Sequence, residues 1–198
     1  MIEASFDKVF DTQCIYRLTL DSMARPGKLN SLPILQVNPP SALSRSAAAV
    51  TLTLLDSETG FCMLPSEQTM IDYLVLNTGA VPSPLTVAEF IVVLGGEKWP
   101  ELSNVCCGTL ISPEKGATLI IMVDRLATDG NGIKLTLQGP GIKGEAVLCI
   151  SGLNQETLEA IANLNQEYPL GVDVIYVDDA GNIACIPRSS SLRWEVLA

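Results

Sequence analysis

Arg188 is followed by three hydroxyl residues, Ser189 to Ser191, straight after an apolar run ending at Ile186. A fixed cation beside several hydroxyl donors suits the oxygens of a phosphate or phosphonate, which a guanidinium can grip bidentately. The same residues suit equally an exposed terminal segment with a surface arginine. Asp173, one residue into the apolar run Val172 to Val177, can accept hydrogen bonds from a ribose or from neighbouring backbone amides, and the amides are the simpler partners. Cys106-Cys107-Gly108-Thr109 is a small turn in which Gly108 admits close approach of a ligand to the backbone. Its thiols lack an accompanying base, so the turn is a poor nucleophile site. Arg17 lies in the middle of an apolar helical stripe, where a charge is rarely tolerated without a partner. Either it pairs with an acid from another element, or it faces a subunit interface or an anionic ligand.

The chemistry the chain lacks is as informative. It has 198 residues and no histidine. That removes Ser-His and Cys-His nucleophile pairs, imidazole general bases and His-ligated zinc. No G-x-x-x-x-G-K-[ST] phosphate loop occurs. Gly139-Pro140-Gly141-Ile142-Lys143-Gly144 does satisfy G-x-G-x-x-G after a strand, and Glu159 follows at a suitable distance. However, Glu145 to Ile150 reads as extended where a dinucleotide site needs a helix, so a glycine-rich turn is expected. Twelve basic residues against 22 acidic ones give a net charge of −10. This argues against nucleic acid and against an anionic membrane surface. No residue is singled out as catalytic, and neither a metal nor a cofactor is expected. The six cysteines lack C-x-x-C spacing, most lie in apolar runs, and they read as buried free thiols of a reducing cytoplasm. The acidic start, Met1 to Asp7, lacks the pattern of a signal peptide.

The elements that must position these groups follow from periodicity and punctuation. A first helix is expected from about Phe6 to Ala24, with Phe6, Val9, Phe10, Leu20 and Ala24 on one face and Pro26-Gly27 stopping it. A second, capped by Ser41 or Ser44, runs from Ala47 to Leu55, and a third from Pro65-Ser66 to about Leu76. Strands are expected at Phe61–Leu64, Glu89–Leu94, Thr118–Val123 and Ile133–Leu137. The unbroken apolar run within Thr118–Val123 marks a central strand covered on both faces. Asn154 caps a last helix ending before Pro169. Val172–Val177 and Ile183–Ile186 then form a hairpin. One α/β domain of three layers, residues 1–198, with a mixed sheet flanked by helices, is the architecture this implies. The 47% apolar content plus 15 glycines comes to roughly 55%, above the usual 45–50%. That surplus predicts a homodimer or tight association with a partner.

Taken together, several segments resemble the PhnH family, the H subunit of bacterial carbon–phosphorus lyase. Tyr16-Arg17 followed by Met23-Ala24-Arg25-Pro26-Gly27 is similar to the family's F-R…M-x-x-P-G helix end. Gly108-Thr109, with Pro113-Glu114 and Gly116-Ala117-Thr118-Leu119-Ile120, resembles its G-T-x-x-x-P-E-x-G-A-T-L-I segment. Leu135 to Ile142 resembles L-x-L-x-G-x-G-I. Pro169-Leu170-Gly171-Val172-Asp173, with Ile186-Pro187-Arg188-Ser189, resembles F-P-L-G-I-D…I-P-R-T. Tyr16, Tyr168, Val172 and Ser189 stand where the family pattern has phenylalanine, phenylalanine, isoleucine and threonine, all mild changes.

The resemblance implies a cytoplasmic subunit that acts with sister subunits of PhnG, PhnI, PhnJ and PhnL type. Together they join an alkylphosphonate to C1 of the ribose of ATP, releasing adenine; another subunit cleaves the carbon–phosphorus bond later. It also implies a fold like the large domain of pyridoxal-phosphate transferases, without that cofactor. Whether this chain contributes residues that touch ATP or the alkylphosphonate, or only orders its partners, is left open by the residues. Arg17, Gly108, Thr109, Asp173, Arg188 and Ser189 are the ligand-binding or interface candidates. A free-standing small-molecule enzyme is the third reading, disfavoured by the missing histidine.

Overall fold

A computed structural model describes residue 3 and residues 6–33 and 36–197. Met1, Ile2, Ala4 and Ser5 of the acidic start lie outside the described residues. In chain order the elements are α1 (Phe10–Ala24), β1 (Asn30–Ser31), α2 (Arg45–Leu54), β2 (Gly60–Leu64), α3 (Gln68–Thr78), β3 (Val81–Pro82) and β4 (Phe90–Leu94). After a 3-10 turn at Pro100–Asn104 come β5 (Thr118–Val123), β6 (Arg125–Ala127), β7 (Gly132–Gln138) and β8 (Ala146–Ser151). The last are α4 (Gln155–Leu164), β9 (Asp173–Asp178), β10 (Asn182–Ile186) and β11 (Ser191–Leu197).

Seven strands form a mixed sheet in the order β1-β10-β9-β5-β4-β2-β3. β3, β2, β4, β5 and β9 run parallel to one another, while β10 pairs antiparallel with both β9 and β1. As its sequence requires, β5 is the central strand. Period-two alternation divides its side chains between two cores. Ile120 and Met122 face α1, α2 and α3, whereas Leu119, Ile121 and Val123 face the opposite side.

That opposite side is where the architecture departs from a single sheet flanked by helices. β11, β7, β8 and β6 make a second, four-stranded antiparallel sheet. Its Leu135, Leu137, Leu148 and Ile150 pack with Leu158 and Ile161 of α4 beneath the first sheet. β11 has the alternation of a half-buried strand, Leu192 and Trp194 alternating with exposed Arg193 and Glu195, and it extends the Pro187–Ser191 segment, beyond which no element was expected.

Local chemistry explains most boundaries. Ser44 caps α2, its hydroxyl accepting from Ala47 N at 3.1 Å, and Asn154 caps α4, accepting from Glu156 N at 2.9 Å. Glu67 does the same for α3. Gly27, with φ 79°, takes the left-handed conformation that ends the α1 connection. The G-x-G-x-x-G segment is a turn between β7 and β8, as expected. Its three glycines all have positive φ and are followed by the strand β8.

α1 needs a correction. It begins at Phe10 rather than Phe6, and the apolar stripe expected on it faces outward: Val9, Phe10 and Leu20 are 69%, 73% and 50% exposed. The side turned to the core carries Ile15, Thr19 and Ser22 instead. The thiols need one as well. All six are free, but only Cys149 and Cys185 are buried; Cys14 is exposed and the others are intermediate.

Candidate functional site

Three of the candidate residues meet at one end of the large sheet, where β9 begins and β10 finishes. Asp173 opens β9, and Pro187-Arg188-Ser189 leaves β10, its antiparallel neighbour, at the same end. The Arg188 side chain lies over the Cys106–Thr118 loop. Its NH2 group donates to Asp173 Oδ2 at 2.7 Å, and its Nε reaches both carboxylate oxygens at 3.2 and 3.3 Å. NH1 donates to Pro113 O at 2.7 Å and NH2 to Gly116 O at 3.2 Å. The Arg188 backbone amide also donates to Asp173 Oδ1 at 2.8 Å. Asp173 therefore does bind a backbone amide, and a guanidinium besides.

This arrangement corrects one of the two expectations for Arg188. The side chain is only 12% exposed, so it is no surface arginine. Four of its five N–H donors are engaged within the chain, leaving one hydrogen on NH1 for any ligand. Its charge is compensated by Asp173. The guanidinium clamps the loop to the start of β9, and Gly116 is the residue that admits it. A Cβ on Gly116 would lie 2.3 Å from both Arg188 NH1 and Gly171 O. Gly171, at φ 132°, donates its amide to Cys107 O at 3.0 Å and closes the same corner.

Beside the clamp opens a cleft of about 440 Å³, lined by Glu114, Thr118, Tyr168, Asp173, Arg188 and Ser189 among others. The hydroxyls of Ser189 and Thr118 make no hydrogen bond among the described residues, and Tyr168 is 69% exposed at the rim. Gly108 and Thr109 sit farther out on the loop. Gly108, at φ 78°, is pressed against Pro113 rather than held open for a ligand; Thr109 Oγ1 accepts from Ser112 N at 3.0 Å. Burial pushes the Cys107 thiol up, with Cys106 adding to the rise and Arg188 opposing it. A thiol held protonated is no nucleophile.

Arg17 is far from this in environment. It is exposed on the outward face of α1 and makes no ion pair or hydrogen bond among the described residues. The ion pair with an acid from another element is therefore not formed.

A second crevice, of about 300 Å³, was not foreseen. It lies at the carboxyl ends of the parallel strands β4 and β5, lined by Ser41, Ser44, Gly95, Gly96, Asp124, Gly152 and Asp179. Ligands of open α/β sheets commonly bind at such ends. A signal existed in the sequence: Gly95-Gly96, Asp124 and Asp179 each follow closely on an apolar strand. Its neighbour Asp178 is occupied structurally, accepting from Leu126 N at 2.9 Å and Asn182 N at 2.8 Å. Among the described residues no group of three or more Cys, Asp or Glu is placed to hold a metal, and no helix is long and apolar enough to cross a membrane.

Comparison with known proteins places the chain in context. The family model described as "Bacterial phosphonate metabolism protein (PhnH)" matches residues 4–193. The chain is 30% identical, over 96% of its own length and 94% of the relative's, to the alpha-D-ribose 1-methylphosphonate 5-triphosphate synthase subunit PhnH of Rhizobium meliloti (strain 1021). It is 35% identical over 118 residues, 58% of this chain and 56% of the relative, to HtxG of Stutzerimonas stutzeri, named as a proposed C-P lyase subunit.

Proposed function

Because this chain belongs to the PhnH family of bacterial phosphonate metabolism proteins, we propose that it is a single-domain cytoplasmic subunit of a carbon–phosphorus lyase complex. In this reading it assists transfer of the ribose triphosphate of ATP to an alkylphosphonate. The phosphonate oxygen bonds to C1 of the ribose as the bond from C1 to adenine breaks, and adenine leaves. The near full-length similarity to a named subunit of the methylphosphonate synthase carries the reading. Its partners are sister subunits of the G, I, J and L type, and outside the complex it is a homodimer. The helix-covered mixed sheet is consistent with a fold akin to the large domain of pyridoxal-phosphate transferases.

The chain's own chemistry supports an assisting role rather than independent catalysis. It offers no histidine and no phosphate loop. Its best-placed arginine, Arg188, is neutralised by Asp173 and spent on backbone carbonyls. A net charge of −10 repels a triphosphate. Groups that steady a polyanion and protonate adenine must then come from partner chains. The alternative, a subunit that only orders its partners, is favoured by the saturation of the Arg188 clamp. The test is growth on methylphosphonate as sole phosphorus source in a bacterium whose own H subunit is deleted. Expression of this chain restores growth if the proposal holds; no restoration, with the protein present at normal levels, overturns it.

A further inference from the structure

The outward face of α1 combines what solvent-facing helices avoid with what interfaces use. Over an arc of roughly 160°, at about 100° per residue, it presents Val9, Phe10, Cys14, Tyr16, Arg17 and Leu20. Phe10 and Val9 are 73% and 69% exposed, and Tyr16 and Leu20 are half exposed. Large apolar side chains exposed together in this way around Gln13 and Arg17 mark a contact site. Arg17 stands within it and is unpaired among the described residues. Asp21, the carboxylate one turn away, is engaged by Arg25, Lys28 and Asn30. Asp7 is spent on the amides of Val9 and Phe10.

We infer that the outward face of α1 is the docking surface for a different polypeptide, one presenting an apolar face with a carboxylate opposite Arg17. A second copy of this chain does not fit. The face carries no free acid, and a two-fold contact centred on it would bring Arg17 towards its own symmetry mate. A head-to-tail self-contact would not close and would propagate. An anionic lipid surface does not fit either, since one arginine offers little against a chain of net charge −10. A carboxylate held among apolar groups would satisfy the guanidinium bidentately and fix the register of the docked helix or strand. The inference rests on the reading of this chain as a subunit of a complex, and it deepens that reading by locating the contact.

The experiment measures binding of the purified full chain to the immobilised sister subunits. It uses wild type, Arg17→Glu, Arg17→Lys and Leu20→Asp, with a thermal melt of each variant as the folding control. Arg17→Glu and Leu20→Asp should each weaken binding at least about tenfold while melting like wild type, and Arg17→Lys should keep most of the affinity. Equal binding by all four overturns the assignment of the face and leaves the chain a subunit. No binding by wild type overturns the subunit reading and the inference together. Sedimentation of the lone chain as a dimer that Arg17→Glu or Leu20→Asp abolishes would make the face a self-contact and refute the inference. Adsorption to phosphatidylglycerol vesicles that the same variants abolish would also refute it.

Discussion

Replacing Arg188 by Met separates a structural clamp from a ligand-binding cation. The substitution keeps much of the aliphatic volume but strands the Asp173 carboxylate, which would retain only the Arg188 backbone amide at 2.8 Å. It also orphans Gly116 O and leaves Pro113 O with only the Gly116 amide at 3.1 Å, both carbonyls now being bonded to the guanidinium. Breaking a buried ion pair from one side costs about 3–5 kcal/mol. Arg188 and Asp173 are 12% and 27% exposed, so water in the cleft rescues part of the stranded carboxylate. The expected loss is then at the lower end, about 3 kcal/mol. For a chain of this size that is roughly 6–12 °C in melting temperature. Arg188→Lys keeps the charge but not the planar fork and should lose about half as much. Pairing Arg188→Met with Asp173→Leu removes both charges and should cost clearly less than the two single changes added together. Thermal melts in one buffer supply the numbers, and amide exchange over residues 106–118 shows whether the loop has come away. If Arg188→Met melts within about 2 °C of wild type yet abolishes assembly or activity of the complex, the guanidinium is a ligand group and the clamp account is wrong.

Gly116→Ala places a Cβ 2.3 Å from Arg188 NH1 and from Gly171 O. It should cost about 1–3 kcal/mol and release the same loop in amide exchange; a melt like wild type would mean the corner is not packed as described. Acid should fray two helix starts. Hydrogen bonds from the Phe10 and Val9 amides hold the Asp7 carboxyl below its ordinary value, and the Thr69 hydroxyl does so for Glu67. A folded value below the unfolded one stabilises above about pH 4 and is lost as pH falls through the folded value. Circular dichroism from pH 5 to pH 2 should therefore show a partial helix loss that Asp7→Asn and Glu67→Gln remove; an unchanged acid limb in the double variant would contradict this. A thiol reagent at pH 8 should modify Cys14 fast and Cys185 only on unfolding, because Cys14 is exposed and burial pushes the Cys185 thiol far up. Equal rates for the two would count against the packing of β10 under α1.

The sequence was a good guide wherever local chemistry sets the structure. Ser44, Asn154 and the Asp178–Asn182 turn sit where their side chains satisfy backbone amides, and that requirement is visible in the residues alone. The continuous apolar run of β5 placed it at the sheet centre for the same reason. What could not be read was direction. A stripe of Phe10, Leu20 and Ala24 looks the same whether it covers a core or awaits a partner, and here α1 turns Ile15, Thr19 and Ser22 inward instead. Of the second sheet, β7 and the extended run of β8 were legible, but β6 is only three residues long, and that these strands pair with β11 apart from the first sheet is a tertiary fact. At the candidate site, Asp173, Arg188 and Ser189 were identifiable as polar residues flanking apolar strands. That the guanidinium is consumed by two carbonyls 72 and 75 residues away is a tertiary fact with no local signature.

Adenine release from ATP plus methylphosphonate tests the central claim, that this chain contributes to the transfer only within a complex. The reaction is run with this chain alone, with the sister subunits alone, and with both. The account predicts no release by the lone chain and a clear increment when it joins its sisters. Turnover by the lone chain, or full activity of the sisters without it, would contradict the account.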